Sequence, residues 1–276
     1  MLPLPDSLIW GALALAVLLC LVRQRLPGLI LLGVALLAAL YLDHLSPSAL
    51  LITLAGLLLA WRTPSLPQPW RGAGLTLILL WAIALMLHLI PGFSNLKVLD
   101  QVQAGPASVP FNMYLNLDKP LVFFGLLLAW PTLLGQGGAV RWRALALLLL
   151  PLAALLITAW QLGELKPEAG LPYWWWLFAL NNLLFTCVAE EALFRGFIQQ
   201  GVAARSRLWL GILVASLLFG TAHLAGGPLL MLFAALAGAC YGLAFHVSGR
   251  LSVAIVIHFL FNFAHLALFT YPLASR

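Results

Sequence analysis

Apolar stretches of about 15 to 21 residues recur along this chain, each ended by Pro, Gly or a cluster of charge. Helices cross the roughly 30 Å hydrocarbon core of a bilayer with about 20 such residues, and there a helix satisfies all of its own backbone hydrogen bonds. The stretches lie near 7–22, 27–43, 48–61, 73–90, 120–136, 143–161, 173–191, 208–224, 228–247 and 251–270. They predict an all-α fold, a polytopic transmembrane helix bundle of about 8–10 spans, the third being short for a crossing. Composition agrees, because 63% of the 276 residues are hydrophobic and only 8% are charged. A soluble domain carries about a quarter charged residues. The first apolar segment has neither a basic leader nor an A-x-A-like site, and is expected to remain as a span.

Basic residues set the orientation, since loops kept in the cytoplasm collect Lys and Arg. Arg23 and Arg25, Arg62 and Arg71, Arg141 and Arg143, Arg205 and Arg207, and Arg250 follow the odd-numbered spans, and those loops contain no Asp or Glu. They are expected to be cytoplasmic. Asp6, Asp43, Lys97, Asp100, Asp118, Lys119, Glu164, Lys166, Glu168 and Arg276 fill the other loops and ends, which puts both termini outside. The net charge of +6 thus belongs beside anionic lipid, and no nucleic-acid partner is indicated. Cys20, Cys187 and Cys240 sit singly in apolar spans, without C-x-x-C spacing, and read as small buried apolar residues. The polar insertion Pro91 to Lys119 reads as an outer loop able to cap or gate a site.

Against this background, charge inside a span demands a reason. Glu190-Glu191-Ala192-Leu193-Phe194-Arg195 places two carboxylates and a guanidinium in apolar sequence, and an intramembrane acid is a functional-site candidate by default. On an α-helix stepping about 100° per residue, Glu191 and Arg195 share a face in the favourable order for an ion pair. Glu190 projects elsewhere, with Cys187, Phe194 and Phe197, and is the carboxylate suited to take a proton from water and return it to a leaving amine. A second constellation is Phe219-Gly220-Thr221-Ala222-His223, and a third is His258-Phe259-Leu260-Phe261-Asn262, whose His and Asn stack on one helix face. Measured at about 1.5 Å per residue from the nearest basic loop, Glu190 lies roughly 22 Å deep, His223 roughly 24 Å, and His258 and Asn262 roughly 12 and 18 Å. One straight helix from Tyr173 to Arg205 would be about 48 Å long, so a tilt or a break near Gly196 or Gly201 is expected.

These motifs, E-E-x-x-x-R, F-x-x-x-H and H-x-x-x-N in that order, resemble the CPBP family of intramembrane proteases, which includes the type II CAAX prenyl endopeptidases and the Abi bacteriocin-processing proteins. The resemblance covers residues 173–270 and implies a protease core there, with residues 1–172 as variable N-terminal transmembrane helices carrying the outer loop 91–119. It implies that Glu190 and His223 activate a water which attacks the scissile amide, that His258 and Asn262 donate to the oxyanion, and that Glu191 and Arg195 brace the site. Members are often labelled metalloproteases, in which case Glu190, His223 and His258 would hold zinc. With no H-E-x-x-H present, the resemblance favours a glutamate-dependent mechanism in which metal is dispensable. The implied partners are the lipid bilayer and a protein or peptide substrate cut near its C-terminus or membrane segment, and the implied location is a bacterial plasma membrane. CAAX processing, precursor or leader cleavage and removal of membrane anchors all fit.

The remaining polar groups have plainer readings. Trp174, Trp175 and Trp176 read as an interfacial aromatic belt, and His44, His88 and His246 as interfacial packing, while His265, seven residues past His258, could support it from behind. Two rival functions are a membrane transporter or channel, and a non-catalytic membrane scaffold. A transporter usually shows inverted halves, whereas here the intramembrane charge lies in one half.

Overall fold

The structure, a computed structural model, describes residues 4–275; Arg276, counted above among the outward-facing charges, lies outside the described residues. Its helices are α1 (Leu4–Leu21), α2 (Arg25–Tyr41), α3 (Pro47–Arg62), α4 (Trp70–Met86), α5 (Asp118–Ala129) and α6 (Trp142–Gln161). They continue as α7 (Trp175–Ala203), α8 (Leu208–Thr221), α9 (Pro228–Ser248) and α10 (Leu251–Leu268). Five of them, α3 (continued to Ser65), α6, α7, α9 and α10, are long and apolar enough to cross a membrane, and α1, α2, α4 and α8 are shorter apolar helices. The chain is an all-α, polytopic integral membrane protein.

One sequence expectation changes, and another gains detail. The span expected over 120–136 stops at Ala129, because Trp130 precedes Pro131, and the proline ring pushes the preceding residue out of helical geometry to φ −123°, ψ 97°. The insertion 91–119 contains a β-hairpin, with β1 (Leu96–Val102) paired to β2 (Phe111–Leu115). In β2, Met113 and Leu115 turn inward while Asn112 and Tyr114 stay exposed, the period-two alternation of a strand.

The chain divides into two compact units, Met1–Val98 with Met113–Leu133 and Leu184–Leu193, and Leu99–Asn112 with Leu134–Leu183 and Phe194–Arg276. In the first, small residues let helices approach, as expected where lipid supplies no hydrophobic drive between them. Gly28 of α2 lies so close to α1 that a Cβ there would fall 2.5 Å from Cys20 Sγ, and the Trp81 ring fills the space above Gly56 and Gly125. Helix α5 is buried on nearly every side, the signature of a core helix. Buried Asp118 at its start accepts from Asn95 Nδ2 at 3.2 Å and from the Lys119 amide at 3.0 Å, and its other oxygen meets His88 Nδ1. His88 is therefore a structural ligand of a carboxylate, as is His44, whose Nε2 lies 3.0 Å from Asp6.

The second unit is organised around α9. Its glycines Gly238 and Gly242 present bare backbone, and a Cβ at Gly238 would fall 2.9 Å from Arg195 Nη2. A proline at the first position starts α9, and Gly249 ends it in the left-handed conformation at φ 62°, which glycine adopts without steric cost. Trp174 departs from the aromatic-belt expectation: it is buried, with its ring 5.1 Å from Phe111, while Trp175 and Trp176 are exposed as a belt requires.

Candidate active site

Helix α7 carries Glu190, Glu191 and Arg195, and it is not a plain α-helix. Asn182–Cys187 and Ala192–Gln199 form π turns, with the α segment Val188–Glu191 between them. Such i→i+5 turns are rare and frequently mark functional sites. Of the two alternatives expected, a tilt or a break, the break does not occur, since α7 runs through Gly196 and Gly201 to Ala203. Between Glu191 and Arg195 the 100° step assumed from sequence no longer holds. Glu190 is partly buried and Glu191 fully buried, both in the first unit's segment Leu184–Leu193.

Arg195, His223, His258 and Asn262 belong to the second unit, which gathers the first three about two aromatic rings. The Arg195 guanidinium is fully buried, 4.6 Å from the centre of Phe219 and 5.3 Å from that of Tyr241, and Nη2 donates to Gly238 O at 2.9 Å. Desolvated cation–π contacts of this kind are worth about 2 kcal/mol each. Tyr241 then stacks on His258, with ring centres 4.5 Å apart and an angle of 16°, and Phe219 meets the same histidine edge-on at 5.6 Å. The buried imidazole is thus held between two rings that the arginine in turn braces.

His223 follows the last turn of α8, with its ring 4.6 Å from Phe219. Its Nδ1 lies 2.8 Å from Phe219 O. A carbonyl only accepts, so Nδ1 carries the proton, and the neutral ring presents Nε2 as an acceptor suited to a base. The F-x-x-x-H spacing acquires a physical meaning here, since Phe219 supplies both the ring and the carbonyl that fix the tautomer.

Asn262, one turn beyond His258, donates through Nδ2 to Asn182 Oδ1 at 3.2 Å. Asn182, at the start of the first π stretch, was not singled out from sequence; its only signal was an Asn pair, Asn181-Asn182, in an apolar run. Gln199 was also missed. It is buried, and its Nε2 donates to Gly242 O at 3.0 Å, repeating four residues on the bond that Arg195 makes to Gly238. His265 is turned to the C-terminal tail, with Nε2 3.1 Å from Thr270 O and its ring 5.0 Å from Tyr271. Among the described residues no three His, Cys, Asp or Glu side chains are grouped as they would be around a metal ion.

Residues 172–264 match the family model described as Type II CAAX prenyl endopeptidase Rce1-like. No curated protein and no solved structure matches the chain. The matched segment holds every residue of the three motifs, together with Asn182, Gln199 and both α9 glycines. The match to the Rce1-like type II CAAX prenyl endopeptidase model falls on the same segment whose ordered motifs resemble the CPBP family.

Proposed function

We propose that this chain is an intramembrane endopeptidase that hydrolyses a peptide bond near the C-terminus or membrane segment of a protein or peptide substrate. The observation that carries this reading is the second unit's cluster, where His223, with Nδ1 bound to Phe219 O, and His258, stacked on Tyr241, share the Phe219 ring. In the proposed reaction Glu190 and His223 share the activation of water: one proton leaves the water for this pair, and the hydroxide oxygen bonds to the scissile carbonyl carbon. His258 and Asn262 donate to the oxyanion so formed, a contribution of about 3 to 4 kcal/mol per donor in acyl-transfer sites. Collapse breaks the carbon–nitrogen bond and returns the proton to the leaving amine. Glu191 and Arg195 brace the site. Each step uses the chain's own side chains, so activity is expected to survive chelators. The location is proposed as a bacterial plasma membrane with the arginine-rich loops in the cytoplasm and both termini outside.

The test compares new peptide termini in the membrane proteome of cells carrying the wild-type chain and cells carrying Glu190→Ala at equal, folded levels. Termini that vanish in the variant support the endopeptidase reading and identify the substrate class. Identical terminus maps refute it.

A further inference from the structure

A cleft of about 260 Å³ opens in the second unit, well away along the chain from His223 and Asn262. It is smaller than the roughly 300 to 1,000 Å³ of sites that take drug-sized ligands, which limits its occupant to something the size of a headgroup. Its walls mix polar side chains, Gln136, Gln199, Gln200 and His246, with apolar Leu208 and Phe245, and Gly137 and Gly249 close it. The glycine wall is built rather than loose. The Gly137 amide donates to Gly249 O at 3.0 Å, and a Cβ on Gly135 would come within 2.1 Å of that same oxygen. Gln199 Oε1 is buried against Gly242, without a hydrogen-bond partner among the described residues, while Gln136 and His246 are the exposed polar side chains of the lining.

Charge decides the occupant's class. Arg250 follows the lining Gly249, and its Nη2 lies 3.4 Å from Gly138 O in the glycine loop. Arg207 immediately precedes Leu208, another lining residue, and Arg205 lies two residues before that. Arg141 and Arg143 follow the glycine loop. Against these cations the chain offers no carboxylate: there is no Asp or Glu between residues 120 and 163, and none from 192 to the C-terminus. All five arginines flank helix ends that the loop alternation assigns to one membrane face. Arginine forks match phosphate oxygens bidentately, and anionic lipid is the phosphate found at that depth.

We propose that this cleft binds the phosphate-bearing headgroup of an anionic glycerophospholipid, with Arg250 and Arg207 on the phosphate and Gln136 or His246 on the polar remainder. The proposal is independent of the protease reading. It is tested on the full chain in detergent, by native mass spectrometry and thermal shift with phosphatidylglycerol, phosphatidylcholine and inorganic phosphate. Wild type is expected to retain phosphatidylglycerol over phosphatidylcholine by about tenfold, since both carry the phosphate and only the choline head sets a cation against the arginine cluster. Arg207→Gln with Arg250→Gln is expected to erase that preference, while Arg62→Gln with Arg71→Gln, which removes equal charge from a loop of the first unit, leaves it. Gln136→Glu, an exposed near-isosteric change that sets a carboxylate in the lining, is expected to abolish binding without touching either arginine. Equal loss from both arginine pairs, no lipid preference in wild type, or full competition by inorganic phosphate with no preference among lipids would each overturn the assignment.

Discussion

Replacing Gly238 by alanine tests the claim that α9 braces the site through its bare backbone. The added methyl would sit 2.9 Å from Arg195 Nη2 and 3.2 Å from Phe219 Cδ1, and both side chains are buried, so neither can swing into lipid. Overpacking of this kind costs about 1 to 3 kcal/mol. Displacing Arg195 also forfeits its bond to Gly238 O, a charge-assisted hydrogen bond worth about 1.5 to 3 kcal/mol. The exchange recovers about 1 kcal/mol, because alanine is the better helix former. The net expectation is a loss of about 3 kcal/mol. Gly33→Ala provides the contrast, since a Cβ there meets nothing within 4 Å and only the helix-propensity gain applies. Thermal unfolding in detergent should therefore place Gly238→Ala clearly below wild type and Gly33→Ala at or above it. Cleavage of a substrate found by terminus mapping should fall in Gly238→Ala alone, because Phe219 and the Arg195 brace shift together. If the two alanine variants melt alike, the close approach of Arg195 to Gly238 is not what holds this part of the bundle.

Three further outcomes are expected. Asn182→Leu should lower kcat about fivefold to tenfold with little change in KM, the loss of roughly one neutral hydrogen bond that orients Asn262, while Asn182→Asp keeps the acceptor and recovers most of the rate in the same assay. Asp118→Ala should destabilise the first unit by about 3 kcal/mol, since Asn95 Nδ2 and the Lys119 amide lose a buried acceptor; thermal unfolding reports it, and an unchanged melt would make the His88–Asp118–Asn95 cluster dispensable. Maleimide should leave Cys20, Cys187 and Cys240 unlabelled in the folded protein and label all three after denaturation, because each is buried; rapid labelling of any one in the native state contradicts the packing around it.

Much of the architecture was legible in the sequence because bilayer physics allows few solutions. Long apolar stretches had to be helices, and the arginines between them marked the ends, so most helix bounds fall within a few residues of the hydropathy pattern. Glu190, Arg195, His223, His258 and Asn262 stood out for the same reason: a polar group in such a stretch is costly and needs company. What stayed hidden depended on partners far along the chain. Asn182 matters through a residue 80 positions away, and nothing local distinguishes it from Asn181. The hairpin strands are too short and too mixed to outweigh the polar look of 91–119. The π turns follow no residue signature.

The E-E-x-x-x-R motif and the small residues of α9 are better understood as one device than as two. A buried guanidinium has five N–H donors to satisfy, and inside a bilayer the strongest neutral acceptors are backbone carbonyls, whose second lone pair stays available even within a helix. Side chains normally screen those carbonyls from the side. Gly238 and Gly242 remove the screen at two positions four apart, and Arg195 and Gln199, also four apart, donate to the two exposed oxygens at 2.9 and 3.0 Å. The match of spacing means that the charged motif in α7 can be accommodated only where α9 offers a glycine in register. Exchanging Arg195 for lysine should then fail to restore the brace, because an ammonium cannot both reach Gly238 O and spread a flat cation over Phe219 and Tyr241, the two rings that hold His258.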